Sequence, residues 1–134
     1  MSREKLLRIL ASLVLAMAVL HIGAIIFDLY WNLWWYDIAL HFLGGVFVAL
    51  LVLWLCFFSG YFPVVPIGSK VAVFWLAFLS TLAIGAGWEI FERLAGHIWS
   101  PEGYWLDTMS DVACDVAGGL LGYLLFIRKV FPHV

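Results

Sequence analysis

Four long apolar stretches, residues 6–27, 37–58, 71–91 and 107–127, are each closed by polar or turn-forming residues. Each runs to about 20 residues, which at a rise of about 1.5 Å per residue is enough to cross a hydrocarbon core of roughly 30 Å. The pattern predicts an all-α polytopic membrane protein, a four-transmembrane-helix bundle forming one transmembrane domain over residues 1–134. The connector 59–69 holds Pro63, Pro66, Gly60 and Gly68 and must turn the chain outside the bilayer. Residues 96–106, with Pro101, Gly103 and the rings of Trp99, Tyr104 and Trp105, read as an interfacial loop.

Composition agrees with this pattern. The chain is 66% hydrophobic and 12% charged, with a mean hydropathy of +1.06, outside the range of an ordinary soluble domain. The net charge of −2 arises from few charges, and no basic stripe with interleaved aromatics is present, which excludes nucleic acid as a partner. The start of the chain, with Arg3, Lys5 and Arg8 before an apolar run and Ala16-Met17-Ala18 within it, has the layout of a signal peptide. Because the run continues to Phe27, it is expected to stay as an uncleaved anchor.

Lysine and arginine set the expected orientation. Arg3, Lys5, Arg8, Lys70, Arg128 and Lys129 all fall on one side of a four-span chain, and Arg93 alone falls opposite. Both termini are therefore expected in the cytoplasm and the protein in the cytoplasmic (inner) membrane. Tyr30, Trp31, Trp34, Trp35, Tyr36, Trp99, Tyr104 and Trp105 would then form an aromatic belt at the outer surface. Cys56 and Cys114 sit at different depths and are expected as free thiols.

What changes the picture is the placement of acid. Seven of nine acidic residues, Asp28, Asp37, Glu89, Glu92, Asp107, Asp111 and Asp115, lie inside or at one end of the apolar stretches, where a charge near the bilayer centre costs about 2.5 kcal/mol or more. Counting along the helices puts His41, Glu89 and Asp111 at one level beneath the outer surface, each on a different span. Asp37 and His41 share a face, as do Glu89 and Glu92, and Asp107, Asp111 and Asp115 form a ladder. His21 and Asp115 fall deeper and are expected to pair. Gly44, Gly45, Gly85, Gly118 and Gly122 lie on the same stripes and allow close helix contact, so the acidic faces should point into the bundle.

Imidazole and carboxylate converging at one depth point to a divalent metal ion: zinc, manganese, iron or magnesium. His41, Glu89 and Asp111 are the expected ligands, with Asp37, Glu92 and Asp107 as supporting or additional ones. An open coordination position would turn bound water into a nucleophile, giving hydrolysis of a lipid-linked or phosphate-bearing envelope substrate. Two alternatives stand beside this reading. One is proton or ion movement along the acidic ladder, requiring a homo-oligomer because the inner half of the membrane is left apolar. The other is a structural bundle with a proton-sharing polar core, in which Asp37 and Asp107 merely cap their helices. Ser80 and Thr81 are expected to bond backbone carbonyls rather than act as nucleophiles.

The ordered set Asp37, His41, Gly44 and Gly45, then Trp88, Glu89 and Glu92, then Asp107, Asp111, Asp115, Gly118 and Gly119 resembles the small bacterial membrane proteins of the YjdF-like family and, more distantly, the VanZ-like family. The resemblance covers residues 35–123 and implies a membrane-embedded fold with these polar positions, but no reaction. Asp115 departs from that pattern, in which asparagine is frequent. The VanZ-like link implies only a role in the cell envelope.

Overall fold

The computed structural model describes residues 2–62, 69–96 and 103–130. The described chain is all-helical, and four of its helices are long and apolar enough to cross a membrane. Helix α1 spans Arg3–Ile26, α2 is the short turn of helix Leu29–Asn32, α3 spans Tyr36–Phe58, α4 Lys70–Ala95 and α5 Tyr104–Val130. The hydroxyls of Ser2 and Ser69 cap α1 and α4 by accepting from Lys5 N and Ala72 N, satisfying amides that would otherwise be orphaned at a helix start. Gly96, at φ 77°, closes α4 with a left-handed residue whose amide donates to Glu92 and Arg93 carbonyls.

Helices α3 and α5 form the central pair, α4 packs against both, and α1 leans on α3 alone among the long helices. The central contact is tight because it is built from glycine. A Cβ on Gly45 would collide with the Asp115 backbone carbonyl, and one on Gly118 with the Phe42 carbonyl. Small residues let two backbones approach until dispersion contacts replace those with lipid, the main source of helix association in a membrane. Leu50, Leu53, Val73, Ala77 and Phe126 fill the interior toward the opposite end. The outer faces stay apolar: Leu15, Val19, Ile22 and Ile26 on α1, and Val71, Trp75 and Leu79 on α4, are exposed at helical spacing, as a lipid-facing surface requires.

Several expectations are refined. Helix α4 runs to Ala95, so Glu92 lies within the helix rather than at its end. Helix α3 begins at Tyr36 with Trp35 as its N-cap, and Trp35 makes no side-chain capping bond. Asp37 is thus inside the first turn and its carboxylate is turned to another use. Asp28, between α1 and α2, adopts φ 52°, a left-handed conformation that asparagine and aspartate tolerate better than most side chains. It reverses the chain so that α2 folds back beside the end of α1. Of the aromatic belt, Trp99 lies outside the described residues; Trp31, Trp34, Trp35 and Trp105 are exposed at the end of the bundle that carries the acids. Cys56 and Cys114 are free thiols. Ser80 and Thr81 donate to the carbonyls of Leu76 and Ala77 at 2.7 and 2.8 Å, as expected for hydroxyls inside a membrane helix.

Candidate functional site

His41 is the hub. It projects from the second turn of α3 into the junction with α4 and α5, and only 7% of its surface is exposed. Asp115 Oδ2 of α5 lies 3.2 Å from its Nδ1. An ionised carboxylate only accepts, so Nδ1 donates. On the opposite side of the ring, Nε2 faces Glu89 Oε1 at 3.7 Å and Asp37 Oδ1 at 3.8 Å. Two sets of ligand atoms gather within 4.8 Å of one another: Asp37, His41 and Asp111, and His41, Glu89 and Glu92.

These separations discriminate between chemistries. At 3.7 and 3.8 Å the carboxylates are beyond hydrogen-bonding distance of Nε2. Two donors sharing one metal ion at ~2.0–2.2 Å each are held ~3.0–4.3 Å apart, depending on the angle between them. The Nε2 separations fall in that window. Glu89 and Asp111 are 5% and 2% exposed, and Glu89 Oε1 and Asp111 Oδ1 have no hydrogen-bond partner among the described residues. Buried polar oxygens without partners are uncommon and costly, about 1–3 kcal/mol each and more when charged. Arg93, the basic side chain at this end, is engaged elsewhere, its guanidinium 3.9 Å from the centre of the Tyr104 ring. A divalent ion would satisfy the acids without needing any of the protein's own cations.

His41 is common to both converging sets, joined by Asp111 with Asp37 in one and by Glu89 with Glu92 in the other, so Glu89 and Asp111 each approach His41 but do not fall in one set. Asp107 belongs to neither converging set; its backbone carbonyl accepts from Ser110 Oγ at 2.8 Å. The expected pair of His21 with Asp115 is replaced by two other contacts. His21 Nδ1 shares a 2.6 Å hydrogen bond with the Tyr30 hydroxyl, while Asp115 goes to His41. The physical reason is the reversal at Asp28, which folds Tyr30 over the end of α1, together with the glycine contact that draws α5 against α3. Burial, with the negative charges of Asp37 and Glu92 adding to it, pushes the Tyr30 hydroxyl above its ordinary pKa, so it stays protonated and able to donate. The role of Asp115 was missed by counting depth. Its signal in the chain was the four-residue step from Asp111 on one face, with Gly118 below it.

Gly85 lets α4 approach the same carboxylate: a Cβ there would press on Asp115 Cγ at 3.0 Å. Asp115 is therefore gripped between Gly44 and Gly45 of α3 and Gly85 of α4, and its orientation is set by backbone packing. Beside the cluster opens a cavity of about 470 Å³, lined at one end by His21, Tyr30, Asp37, His41, Glu92 and Asp115. At its other end stand Met17, Ala18, Phe47, Val48 and Ile84. Asp37, His41 and Glu92 face this space, whereas Glu89 and Asp111 are not part of its wall.

No curated protein and no solved structure matches the chain. The model of one family, described as predicted membrane protein DUF2238, matches residues 2–130. This is the YjdF-like family of the resemblance; the VanZ-like link gains no support from the match. With the whole described chain covered, including every residue of the His41 cluster, the protein belongs to the DUF2238 family of membrane proteins.

Proposed function

We propose that the protein binds one divalent metal ion inside the bilayer, with His41 Nε2 and Glu89 as ligands, Asp37 and Glu92 at the side facing the cavity, and Asp111, which converges on His41 in a separate set from Glu89, moving in to complete the site. The observation that carries this reading is the geometry around Nε2: carboxylate oxygens at 3.7 and 3.8 Å, too long for hydrogen bonds and right for donors around a shared ion. Asp115 on Nδ1 supports it, since a metal-bound imidazole ordinarily donates its other N–H to a carboxylate, which fixes the tautomer that leaves Nε2 free to bind. One histidine with several carboxylates suits zinc, manganese or ferrous iron better than magnesium or calcium, which favour all-oxygen sets.

The ligands sit toward the ends of α3, α4 and α5 that the positive-inside pattern puts outside the cytoplasm, in the cytoplasmic membrane with both termini inside. Glu89 and Asp111 lie outside the cavity wall whereas Asp37, His41 and Glu92 line it, so an ion held here would be open to the cavity on that side. Water bound there would become a nucleophile near neutral pH. Its oxygen would bond to the phosphorus of a phosphate ester while the bond from phosphorus to the alcohol oxygen breaks and the alcohol takes the proton.

Metal analysis of the purified protein tests the reading. About one equivalent of ion in the wild type, falling below one tenth in His41→Ala and Glu89→Gln with both variants still folded, is the expected result. A folded wild type that takes up no zinc, manganese or iron after chelation and reloading overturns it and leaves a hydrogen-bonded polar core.

A further inference from the structure

The cavity beside the His41 cluster opens sideways, between α1 and α4. Helix α1 packs on α3 and on α2, and its backbone does not come within 8 Å of α4 or α5, Cα to Cα, among the described residues, yet the cavity is walled by residues of both α1 and α4. Its side is therefore the cleft between those two helices. Ile84 and Trp88 of α4 and Ala18 of α1 line the cavity and are themselves exposed. In a bilayer such an opening faces acyl chains.

The dimensions select the occupant. From Asp37 to Val48 the wall runs 11 residues along α3, about 16 Å of helix. A volume of about 470 Å³ spread over about 16 Å gives a mean cross-section of roughly 30 Å². One extended hydrocarbon chain with a packing diameter near 5 Å needs roughly 20 Å², and two side by side need roughly twice that. The space takes one chain. Polarity is graded along the same axis, with Asp37, His41 and Glu92 at one end and Phe47, Val48 and Ile84 at the other. A guest therefore has a polar head and one apolar tail.

The head is chosen by charge. The polar end is rich in carboxylates and would repel an anion in the bare protein; a divalent ion bound there would supply the one cation against which a phosphate oxygen could sit, on the cavity side. We propose that the cavity binds a single-chain amphiphile with a phosphate headgroup, which enters sideways between α1 and α4, places a phosphate oxygen on the metal and lays its tail toward Val48. This rests on the metal reading and adds to it the class of guest and its route. Free phosphate offers the same oxygen without the tail, so tail length separates the two sources.

The test uses the full chain in phosphatidylcholine nanodiscs, loaded with manganese, whose unpaired electrons broaden the phosphorus resonance of any phosphate bound beside it. Lysophosphatidate is expected to show saturable broadening at one equivalent, at a concentration at least tenfold lower than inorganic phosphate requires. Ala18→Trp and Val48→Trp fill the cavity from opposite walls and touch none of the proposed ligands. Each should weaken lysophosphatidate binding at least tenfold while manganese content and the response to inorganic phosphate stay unchanged, and retained manganese serves as the control for folding. If manganese binds but lysophosphatidate does no better than inorganic phosphate, or if both tryptophan variants keep full affinity for the lipid, the guest and route are wrong and the metal site stands. If the wild type holds no manganese or other divalent ion, the metal reading falls and this inference falls with it.

Discussion

Asp115 Oδ2 and His41 Nδ1 meet at 3.2 Å across the contact of α5 with α3, in a space kept open for them by Gly44, Gly45 and Gly85. A carboxylate there does for the imidazole what a simple hydrogen-bond acceptor does less well. It fixes the proton on Nδ1 and holds the ring plane, which leaves the Nε2 lone pair free.

Asp115→Asn keeps the shape and an acceptor oxygen but removes the charge. Affinity for zinc or manganese, measured by competition with a chelator of known strength, is expected to fall about 10–100-fold with the helical fold intact. Unchanged affinity would show that Asp115 serves packing alone.

Glycine substitutions should divide by position. Gly45→Ala puts a methyl group against the Asp115 carbonyl, where only backbone could yield, and overpacking of this kind costs about 1–3 kcal/mol. Gly23→Ala and Gly87→Ala meet nothing within 4 Å, so alanine's better helix propensity should leave them unchanged or up to about 1 kcal/mol more stable. Thermal unfolding in detergent reads the difference. Equal behaviour of the three variants would contradict the close α3–α5 contact.

The number and position of the membrane helices could be read from the chain because the bilayer imposes them: a run such as 37–58 has only one regular way to bury its backbone polar groups. That acids of α4 and α5 approach His41 was also legible, since rise per residue sets depth and three helices agreed on one level, but not that Glu89 and Asp111 would join it in separate sets. The partner of His41 was not. Counting depth treats helices as parallel rods and side chains as sitting at their Cα, whereas Asp115 leans toward the start of α5, as all helical side chains do, and α5 is pulled onto α3 by glycine. His21 was misassigned because a single left-handed residue, Asp28, brings Tyr30 over it, a local reversal that hydrophobic periodicity does not encode. The cavity was invisible for a similar reason: it exists because the backbone of α1 comes close to only one of the three other long helices.

Orientation is open to direct measurement. In a background of Cys56→Ala and Cys114→Ala, a cysteine at the exposed Asn32 should react with a membrane-impermeant maleimide in intact cells with the outer envelope permeabilised. A cysteine at the exposed Ser2 should react only after the inner membrane is opened. The opposite pattern would place the His41 cluster on the cytoplasmic side, against the positive-inside expectation.

Glu89→Gln carries the sharpest contrast, because the sign of its effect should depend on metal. Without an ion, Asp37, Glu89, Asp111 and Asp115 crowd one imidazole, and the acids outnumber the single positive charge that the ring can carry. Removing one carboxylate relieves repulsion in a medium that screens little, so the metal-free variant should melt at or above the wild type. With zinc or manganese at a hundred times its dissociation constant, the wild type gains about 2.7 kcal/mol from binding. The variant, with one ligand reduced to a weakly donating amide, gains far less, and the order of melting reverses. A wild type that is more stable than Glu89→Gln by the same margin with and without metal would mean that Glu89 and His41 form a plain ion pair, in which case the cluster holds helices together and binds no ion.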